Sequence, residues 1–478
     1  MIESVRVKNF KSFSDTGKRA IKPITILIGP NSSGKSSFIQ FLLLLKQTVE
    51  STSTDSPLVL NGRYINLGAF KDIVYKHSVL KPIEFEFTVN IKDLLKNPRF
   101  PIRYPFRNLA KFLKNQSPII TYKAKIKYVK PRVKDVVPKL RLHEFEVSLD
   151  SKEDKRKYTV SFKFDTKNQK YEMFINGKKV ENPSRNIKRG SRIHIRPINF
   201  YVVAYIIPFF IDELPNSLGL SKKELIMAEF LLDSLRVIDD VMRDVYYIGP
   251  LREYPRRYYV LSGDVPREVG SRGENALSTL LTSRNQEYLL TKVNEWLRRF
   301  GLAKKFQIRE IKSQILLEAL VEDSIQELTV NISDVGFGLS QILPIIIEGF
   351  HAPPGSIILI EQPEIHLHPK LQADMADLFI DIANSGDKKL IIETHSEHII
   401  LRLQRRIIEG VIRPEDVAIY YFEMTKEGTN IRNISINELG ELENWPEGFF
   451  EEDAREIIEL TKARLNKLKN ASHTKENT

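Results

Sequence analysis

The sequence predicts an α/β fold in which a mixed sheet is flanked by helices, and three patterns predict it. The apolar strand ITILI at residues 24–28 leads into the glycine-rich segment GPNSSGKS and then into an apolar helix. A second apolar strand, IILI, ends in the polar pair Glu361 and Gln362. Between residues 83 and 180, several segments alternate apolar and polar residues, as half-buried antiparallel strands do. We therefore expect an α/β core with an inserted β-rich domain and a helical segment.

These patterns also divide the chain along its length. The first part of the core holds the glycine-rich segment and ends in a polar stretch and an extended segment. The inserted domain has five alternating segments, the last with an Asn-Gly hairpin turn. A helical segment follows, core strands and helices resume, and a strand hairpin and a helix come last. The expected units are residues 1–75, 76–215, 216–243, 244–410, 411–470 and a disordered tail at 471–478.

Composition excludes several classes of protein. The chain has 478 residues and no cysteine, which excludes disulfides, thiolate metal sites and cysteine nucleophiles. Its first residues alternate like a strand and lack the apolar stretch of a signal peptide. The longest apolar runs are far shorter than the roughly 20 residues that a membrane-spanning helix needs. We expect a soluble, cytoplasmic protein.

The positive charge is concentrated in one segment. Residues 76–200 contain 31 Lys and Arg against 12 Asp and Glu, whereas the whole chain carries a net charge of +12. Such a segment favours a nucleic-acid partner, because phosphate contacts dominate that kind of affinity. A solvated, lysine-rich surface is the alternative. The candidate contacts lie in YKAKIKYVKPRVK and are Lys123, Lys125, Lys127, Lys130, Arg132 and Lys134.

The glycine-rich segment has the pattern of a phosphate-binding loop. Residues 29–36 fit G-x-x-x-x-G-K-[ST] between an apolar strand and a helix, which is the structural context that such a loop requires. Its backbone N–H groups and the helix N-terminus would bind phosphates, with Lys35 at the β- and γ-phosphates and Ser36 on Mg²⁺. The predicted nucleotide-binding residues are Asn31, Ser32, Ser33, Gly34, Lys35, Ser36 and Ser37.

Four further motifs follow in order and carry a resemblance to a known family. They are VGFGLSQ at residues 335–341, IILIEQPE at 357–364, ETHS at 393–396 and WPEGFF at 445–450. With the phosphate loop, they resemble the ABC-type ATPase heads of the RecF, Rad50 and SMC group. More closely, they are similar to OLD-related prokaryotic ATPases with a WPEGFF-type C-terminal domain. The resemblance implies a P-loop ATPase of the ABC-head type, with ATP and Mg²⁺ as its ligands.

The resemblance also implies residue roles. Glu361 would hold Mg²⁺ through a water, since this cation prefers oxygen ligands, and His395 would contact the γ-phosphate. The signature helix would cap the nucleotide of a second subunit, so that ATP joins a homodimer. An ordinary helix cap is the alternative for this segment. The signature residues are Gly336, Gly338, Ser340 and Gln341.

Two residues of the predicted site compete for the role of activating water. Gln362 occupies the position where related hydrolases keep a carboxylate, and an amide cannot accept a proton at pH 7. It can orient water, as a glutamine does in some GTPases. Glu364 is the fallback base, or it caps the following turn. The predicted catalytic residues are therefore Gln362, Glu364, His395 and Glu361, and turnover should be slow.

Two other groups of residues remain open. His366 and His368 have a spacing that suits a metal, but no third ligand is evident and a structural turn is favoured. Three arginines in the turn LREYPRRYY are candidates for phosphate contact, and a solvated loop is the alternative. They are Arg252, Arg256 and Arg257.

The predicted function is a slow ATPase that acts as a nucleic-acid-associated switch for a separately encoded effector. The chain lacks the acidic strand-end motifs of OLD-type nucleases, so we expect that it does not cut nucleic acid itself. A separate nuclease in phage defence or DNA repair is the expected kind of effector. One alternative is a nucleotide-sensing scaffold with negligible turnover. A transporter ATPase is a further alternative, based on fold analogy alone.

Overall fold

A computed structural model provides the structure of the chain. It describes residues 2–51, 56–90, 119–129, 139–151, 155–180, 194–198, 201–205, 219–260, 263, 265–312, 316–323, 328–446 and 456–464. Within these ranges, the predicted α/β fold is confirmed: sheets and helices pack in layers. No helix of the described ranges is long and apolar enough to cross a membrane. The predicted tail at 471–478, and Lys130, Arg132 and Lys134, lie outside these ranges.

The first sheet is antiparallel and contains the N-terminal strand. The alternating segments at residues 83–180 are confirmed as strands, and they continue this sheet because the first of them, Ile83–Asn90, pairs with the N-terminal strand Ile2–Phe10. The Asn-Gly hairpin is also confirmed, with both turn residues at positive φ. Its strands are β1 (Ile2–Phe10), β2 (Phe13–Asp15), β3 (Arg19–Ala20), β5 (Ile83–Asn90), β6 (Ile119–Val129), β7 (Lys139–Asp150), β8 (Lys157–Asp165), β9 (Lys170–Ile175) and β10 (Lys178–Lys179).

The second sheet forms the core and is mostly parallel. Its order is β13-β18-β19-β4-β20-β21-β22, and the predicted C-terminal hairpin is confirmed as the antiparallel pair β20 and β21. Its strands are β4 (Ile24–Ile28), β13 (Val245–Ile248), β18 (Ile357–Glu361), β19 (Lys389–Glu393), β20 (Val417–Thr425), β21 (Gly428–Ile436) and β22 (Leu442–Glu443).

Smaller strands complete the β-structure. β11 (His194–Ile198) and β12 (Tyr201–Tyr205) form an antiparallel pair. A four-stranded sheet follows the core strand β13, and its members are β14 (Tyr259–Val260), β15 (Lys305–Lys312), β16 (Leu316–Glu322) and β17 (Thr329–Asn331).

Helices cover both faces of the core sheet. The helix predicted in residues 217–243 is α3, whose N-cap Ser221 forms a capping box with Glu224. One helix, α2, lies in a segment that was expected to be extended. That expectation was wrong because a single helical turn is too short to show a helical period in the sequence. The turn is stabilised by the Asp72 carboxylate, which accepts a hydrogen bond from the Ala69 N–H. The helices are α1 (Lys35–Glu50), α2 (Phe70–Ile73), α3 (Lys222–Arg243), α4 (Ala276–Thr282), α5 (Gln286–Arg299), α6 (Phe337–His351), α7 (Pro369–Asn384), α8 (Glu397–Ile408) and α9 (456–464).

The core strands bury side chains on both faces, and this fixes the layers. Leu359 and Ile391 point into a core shared with α1, α3 and the antiparallel sheet. Their neighbours Ile358 and Ile392 point the other way, into a core shared with α4 to α8. β4, β18 and β19 run parallel to one another, so their carboxyl ends lie at one edge of the sheet.

Candidate functional site

An open cavity of about 570 Å³ lies at this edge of the core sheet. It contains all seven residues predicted to bind nucleotide, together with the predicted Gln362 and His395. Four further residues that line it were not predicted from the sequence: Lys11 and Ser12 from the turn after β1, Gln40 from α1, and Glu393 from the end of β19. The lining residues are Lys11, Ser12, Asn31, Ser32, Ser33, Gly34, Lys35, Ser36, Ser37, Gln40, Gln362, Glu393 and His395.

Close backbone packing shapes the phosphate loop. Gly29 has φ 140°, and a Cβ there would lie 2.2 Å from the Phe422 carbonyl oxygen of β20. Gly34 has φ 107°, and its Cβ would lie 2.7 Å from the Thr429 hydroxyl of β21. Both positions therefore require glycine. The loop turns tightly enough that the N-terminus of α1, with its partial positive charge, faces the cavity.

The C-terminal hairpin braces this loop. The Thr429 hydroxyl donates to the Ser33 carbonyl oxygen at 2.7 Å and lies 2.8 Å from the Ser12 hydroxyl. The Thr429 N–H donates to the Ser12 carbonyl oxygen at 2.9 Å. One residue of β21 thus joins two segments of the cavity wall that are far apart in sequence.

Lys35 is almost fully buried in the loop. Its ammonium donates to the Gly29 and Pro30 carbonyl oxygens, both at 2.9 Å. Burial lowers the pKa of Lys35, and the nearby carboxylates of Glu393 and Glu364 oppose that shift. These carbonyls orient the charge beside the loop amides.

Two carboxylates end neighbouring strands at the cavity edge. Glu361 and Glu393 lie side by side in the register of β18 and β19. The Glu361 Oε1 accepts from the Tyr247 hydroxyl at 2.8 Å, and burial, followed by the charge of Glu393, raises the pKa of Glu361 to about 7. Glu361 does not line the cavity, whereas Glu393 does.

Glu393 makes the contact with the phosphate loop. Its Oε1 accepts from the Ser36 hydroxyl at 3.1 Å, and its buried Oε2 has no hydrogen-bond partner among the described residues. Burial raises the pKa of Glu393, while the Ser36 hydroxyl and the Lys35 charge lower it. A signal for this residue was present in the sequence, because Glu393 ends an apolar strand in the same way that Glu361 does.

Gln362 is held in an uncommon backbone conformation. Its φ of 47° is left-handed, which is uncommon and costly for a residue other than glycine. Its N–H donates to the Glu393 carbonyl oxygen at 2.8 Å, and its carbonyl oxygen accepts from Arg252 at 3.0 Å. These two bonds stabilise the turn that brings Gln362 to the cavity.

Arg252 is a buried structural residue. Its guanidinium donates to the carbonyl oxygens of Pro250, Gln362 and Glu361 at 3.1, 3.0 and 2.9 Å. Burial lowers the pKa of Arg252 to about 10. The other two arginines of the turn form exposed ion pairs, Arg256 with Glu253 and Arg257 with Asp334. None of the three lines the cavity.

Glu364 has both carboxylate oxygens occupied. Its Oε2 accepts from the Thr394 hydroxyl at 2.8 Å, and its Oε1 accepts from the His395 N–H at 2.6 Å. It does not line the cavity, and burial raises its pKa. These contacts join Glu364 to the segment after β19 that carries His395, and not to the turn that follows Glu364 itself.

His395 is half-buried and lines the cavity. Burial, followed by the charge of Lys35, lowers the pKa of His395, which favours a neutral imidazole. His368, by contrast, serves as the N-cap of α7 and accepts from the Lys370 N–H at 3.3 Å. No group of three His, Cys, Asp or Glu side chains in the described ranges is arranged to hold a metal.

The signature segment lies at the N-terminus of α6. Gly336 is the N-cap, with φ −56° and an exposed backbone, whereas Ser340 and Gln341 are buried. Neither these three residues nor Gly338 lines the cavity of their own chain.

Three of the residues predicted to contact nucleic acid, Lys123, Lys125 and Lys127, lie on β6. Lys123 pairs with Glu86 at 3.5 Å and with Glu146 at 4.0 Å, and Lys125 pairs with Glu144 at 3.0 Å. Lys127 lies on the same strand. The ion pairs neutralise part of the charge on which the predicted nucleic-acid contact depends.

The phosphate loop and the polar ends of β18 and β19 define a P-loop nucleotide-binding protein. Residues 1–400 match the AAA ATPase domain family, so the chain belongs to that family. Residues 412–460 match a second family, described as a protein of unknown function (DUF3696). No curated protein matches the chain.

Several solved structures are similar to the chain at low identity. An SMC head bound to the C-winged helix domain of ScpA is 13% identical with a TM-score of 0.40, over 91% of this chain and 98% of that one. The SMC head domain from Thermotoga maritima is 9% identical with a TM-score of 0.38, over 91% and 99%. An Smc head domain with an extended coiled coil, bound to the C-terminal domain of ScpA and derived from Pyrococcus furiosus, is 12% identical with a TM-score of 0.38, over 96% and 99%.

Proposed function

We propose that the chain binds ATP with Mg²⁺ in this cavity and hydrolyses it slowly. The observation that carries the proposal is the composition of the cavity wall, where Lys35, the loop amides and the α1 N-terminus face one edge of a parallel sheet. The triphosphate would lie along the loop, with its γ-phosphate near His395. Mg²⁺ would sit at the Ser36 end, close to the carboxylates that end β18 and β19.

Slow turnover follows from the residue beside the γ-phosphate. In hydrolysis, a water oxygen bonds to the γ-phosphorus while the bond to the β–γ bridging oxygen breaks. Gln362 can orient this water but cannot take its proton, so the proton passes to a phosphate oxygen. A positioned base typically contributes about 10²- to 10⁴-fold to rate. Without one, the ATP-bound state persists.

Lys35→Ala tests nucleotide binding. The charge that offsets the triphosphate is lost, so ATP affinity should fall by at least tenfold. The matched control is Lys18→Ala, which removes an exposed lysine that does not line the cavity. Titration calorimetry with ATP and Mg²⁺ decides between them, and equal affinity in the two variants would overturn the proposal.

We also propose that two subunits close around ATP through the signature segment. Gly336 suits a test, because a Cβ added there meets no atom within 4 Å among the described residues of its own chain. Gly336→Arg should therefore abolish ATP-induced dimers and bind ATP as the wild-type monomer does at low protein concentration, whereas Gly336→Ala should keep the dimers. Light scattering with and without ATP measures this. A persistent dimer in the arginine variant would exclude this interface.

The proposed role is a nucleic-acid-associated switch for a separate effector protein, such as a nuclease in phage defence or DNA repair. The charge excess of residues 76–200 supports the nucleic-acid part, and the ion pairs of Lys123 and Lys125 weigh against those two lysines. ATP turnover should rise when DNA or RNA is added. Turnover that stays negligible in every case would favour the nucleotide-sensing scaffold instead.

A further inference from the structure

We infer that Glu393, rather than Glu361, is the carboxylate that holds the nucleotide-bound Mg²⁺ together with Ser36. The inference rests on the proposed binding of Mg²⁺ and ATP and identifies the protein ligands of the cation. The motif resemblance gave this role to Glu361.

The geometry separates the two carboxylates. Glu393 lines the cavity, and its Oε1 lies 3.1 Å from the Ser36 hydroxyl, which belongs to the phosphate loop. Glu361 lies one strand further from β4 and is bonded to the Tyr247 hydroxyl. Mg²⁺ at nucleotide sites is usually held by one or two carboxylates plus phosphate oxygens. A hydroxyl and a carboxylate in contact at the phosphate loop provide the protein part of such a site.

The hydrogen bonding of Glu393 points to a ligand. The side chain is only 3% exposed, yet its Oε2 has no hydrogen-bond partner among the described residues. Glu364 provides an internal comparison, because it is half-buried and has both oxygens satisfied by Thr394 and His395. A purely structural carboxylate would be expected to resemble Glu364, since leaving a buried oxygen unsatisfied is costly.

Charge gives the same assignment. Of the described residues that line the cavity, Glu393 is the one carboxylate, while Lys11 and Lys35 are the cations. A carboxylate facing a triphosphate is repelled unless a cation lies between them. Position 362 contributes an amide and no charge, so Glu393 supplies the negative charge that a divalent cation needs at this end of the cavity.

The test compares Glu393→Gln with Glu361→Gln in the full chain. The affinity for ATPγS is measured by calorimetry in EDTA and again with Mg²⁺. The affinity gained on adding Mg²⁺ should fall at least tenfold in Glu393→Gln, whereas affinity in EDTA should hold or improve because a negative charge is gone. Glu361→Gln should keep most of the Mg²⁺-dependent gain. Thermal unfolding confirms that both variants fold.

A second variant keeps the inference testable if either glutamine variant folds poorly. Ser36→Ala should lose the same Mg²⁺-dependent gain in ATPγS affinity. The double variant, Ser36→Ala with Glu393→Gln, should lose little more than either single variant, because both residues belong to the same Mg²⁺ site. The inference is overturned if Glu361→Gln alone loses the gain. It is also overturned if Glu393→Gln keeps the gain and loses only single-turnover hydrolysis, which would make Glu393 the base. Failure of the wild type to bind ATPγS in EDTA and in Mg²⁺ would overturn the proposed function itself.

Discussion

The antiparallel sheet and the nucleotide cavity both carry charged side chains, but these side chains differ in their burial and in how completely they are paired. On the sheet, Lys125 and Glu144 are 41% and 24% exposed and pair with each other across neighbouring strands. At the cavity, Lys35 and Glu393 are each 3% exposed, and one oxygen of Glu393 lacks a partner. Exposed pairs cost little and contribute little. Buried charges that remain incompletely satisfied are expensive, and such groups are typical of functional sites.

The largest expected effect on stability comes from a buried carboxylate on helix α6. Burial raises the pKa of Glu348 on α6 to about 8, the nearby Glu268 adds to the shift, and Lys46 and Lys388 oppose it. Because the folded state binds this proton more tightly, stability should fall as pH rises from about 4.5 to about 8. Glu348→Gln should remove a fall on the order of 3–5 kcal/mol. Urea unfolding between pH 5 and 9 measures it, and identical pH profiles for variant and wild type would contradict the prediction.

The next effect concerns the buried guanidinium beneath Gln362. Arg252→Met should lower the free energy of unfolding by about 2–3 kcal/mol, because the Glu361 and Gln362 carbonyl oxygens lose their donor. Arg256→Met, which breaks an exposed ion pair, is the control and should cost less than about 1 kcal/mol. Equal losses in the two variants would erase the distinction between buried and exposed charge.

A smaller effect is expected at the uncharged position in the cavity. Gln362→Glu should raise single-turnover hydrolysis about tenfold or more by supplying a base, about 1.4 kcal/mol in barrier. Quenched-flow measurement with excess protein isolates this step. If the rate is unchanged while Glu364→Gln abolishes it, the base is Glu364 and the assignment from its hydrogen bonds is wrong.

The smallest effect should come from the antiparallel sheet. Lys125→Gln and Glu144→Gln, alone and together, should reveal a coupling below about 1 kcal/mol. Denaturant unfolding at low and high salt gives the coupling, which should shrink further at high salt. A coupling above 2 kcal/mol would show that exposed pairs hold this sheet together.

The phosphate loop and the core strands could be predicted because each depends on local patterns. Glu393 was not predicted because its position depends on the order of the strands. β19 lies between β18 and β4, so the last residue of β19 lies closer to the phosphate loop than Glu361 does. The pairing of Lys125 with Glu144 depends on the register of β6 and β7, which composition does not contain. The signals that failed were long-range, and the signals that succeeded spanned about ten residues.

The brace at Thr429 has a consequence for synthesis of the protein. Every described residue that lines the cavity lies at or before His395, but Thr429, which hydrogen-bonds Ser33 and Ser12, emerges later from the ribosome. Because elongation proceeds at roughly 5–20 residues per second, the residues of the phosphate loop are synthesised before Thr429 is available to hydrogen-bond them. β20 pairs with β4 and β21 pairs with β20, so completion of the core sheet and tightening of the loop coincide. Nascent chains that lack β21 should therefore bind nucleotide weakly, and we expect the loop to reach its final conformation only when the hairpin of β20 and β21 has formed.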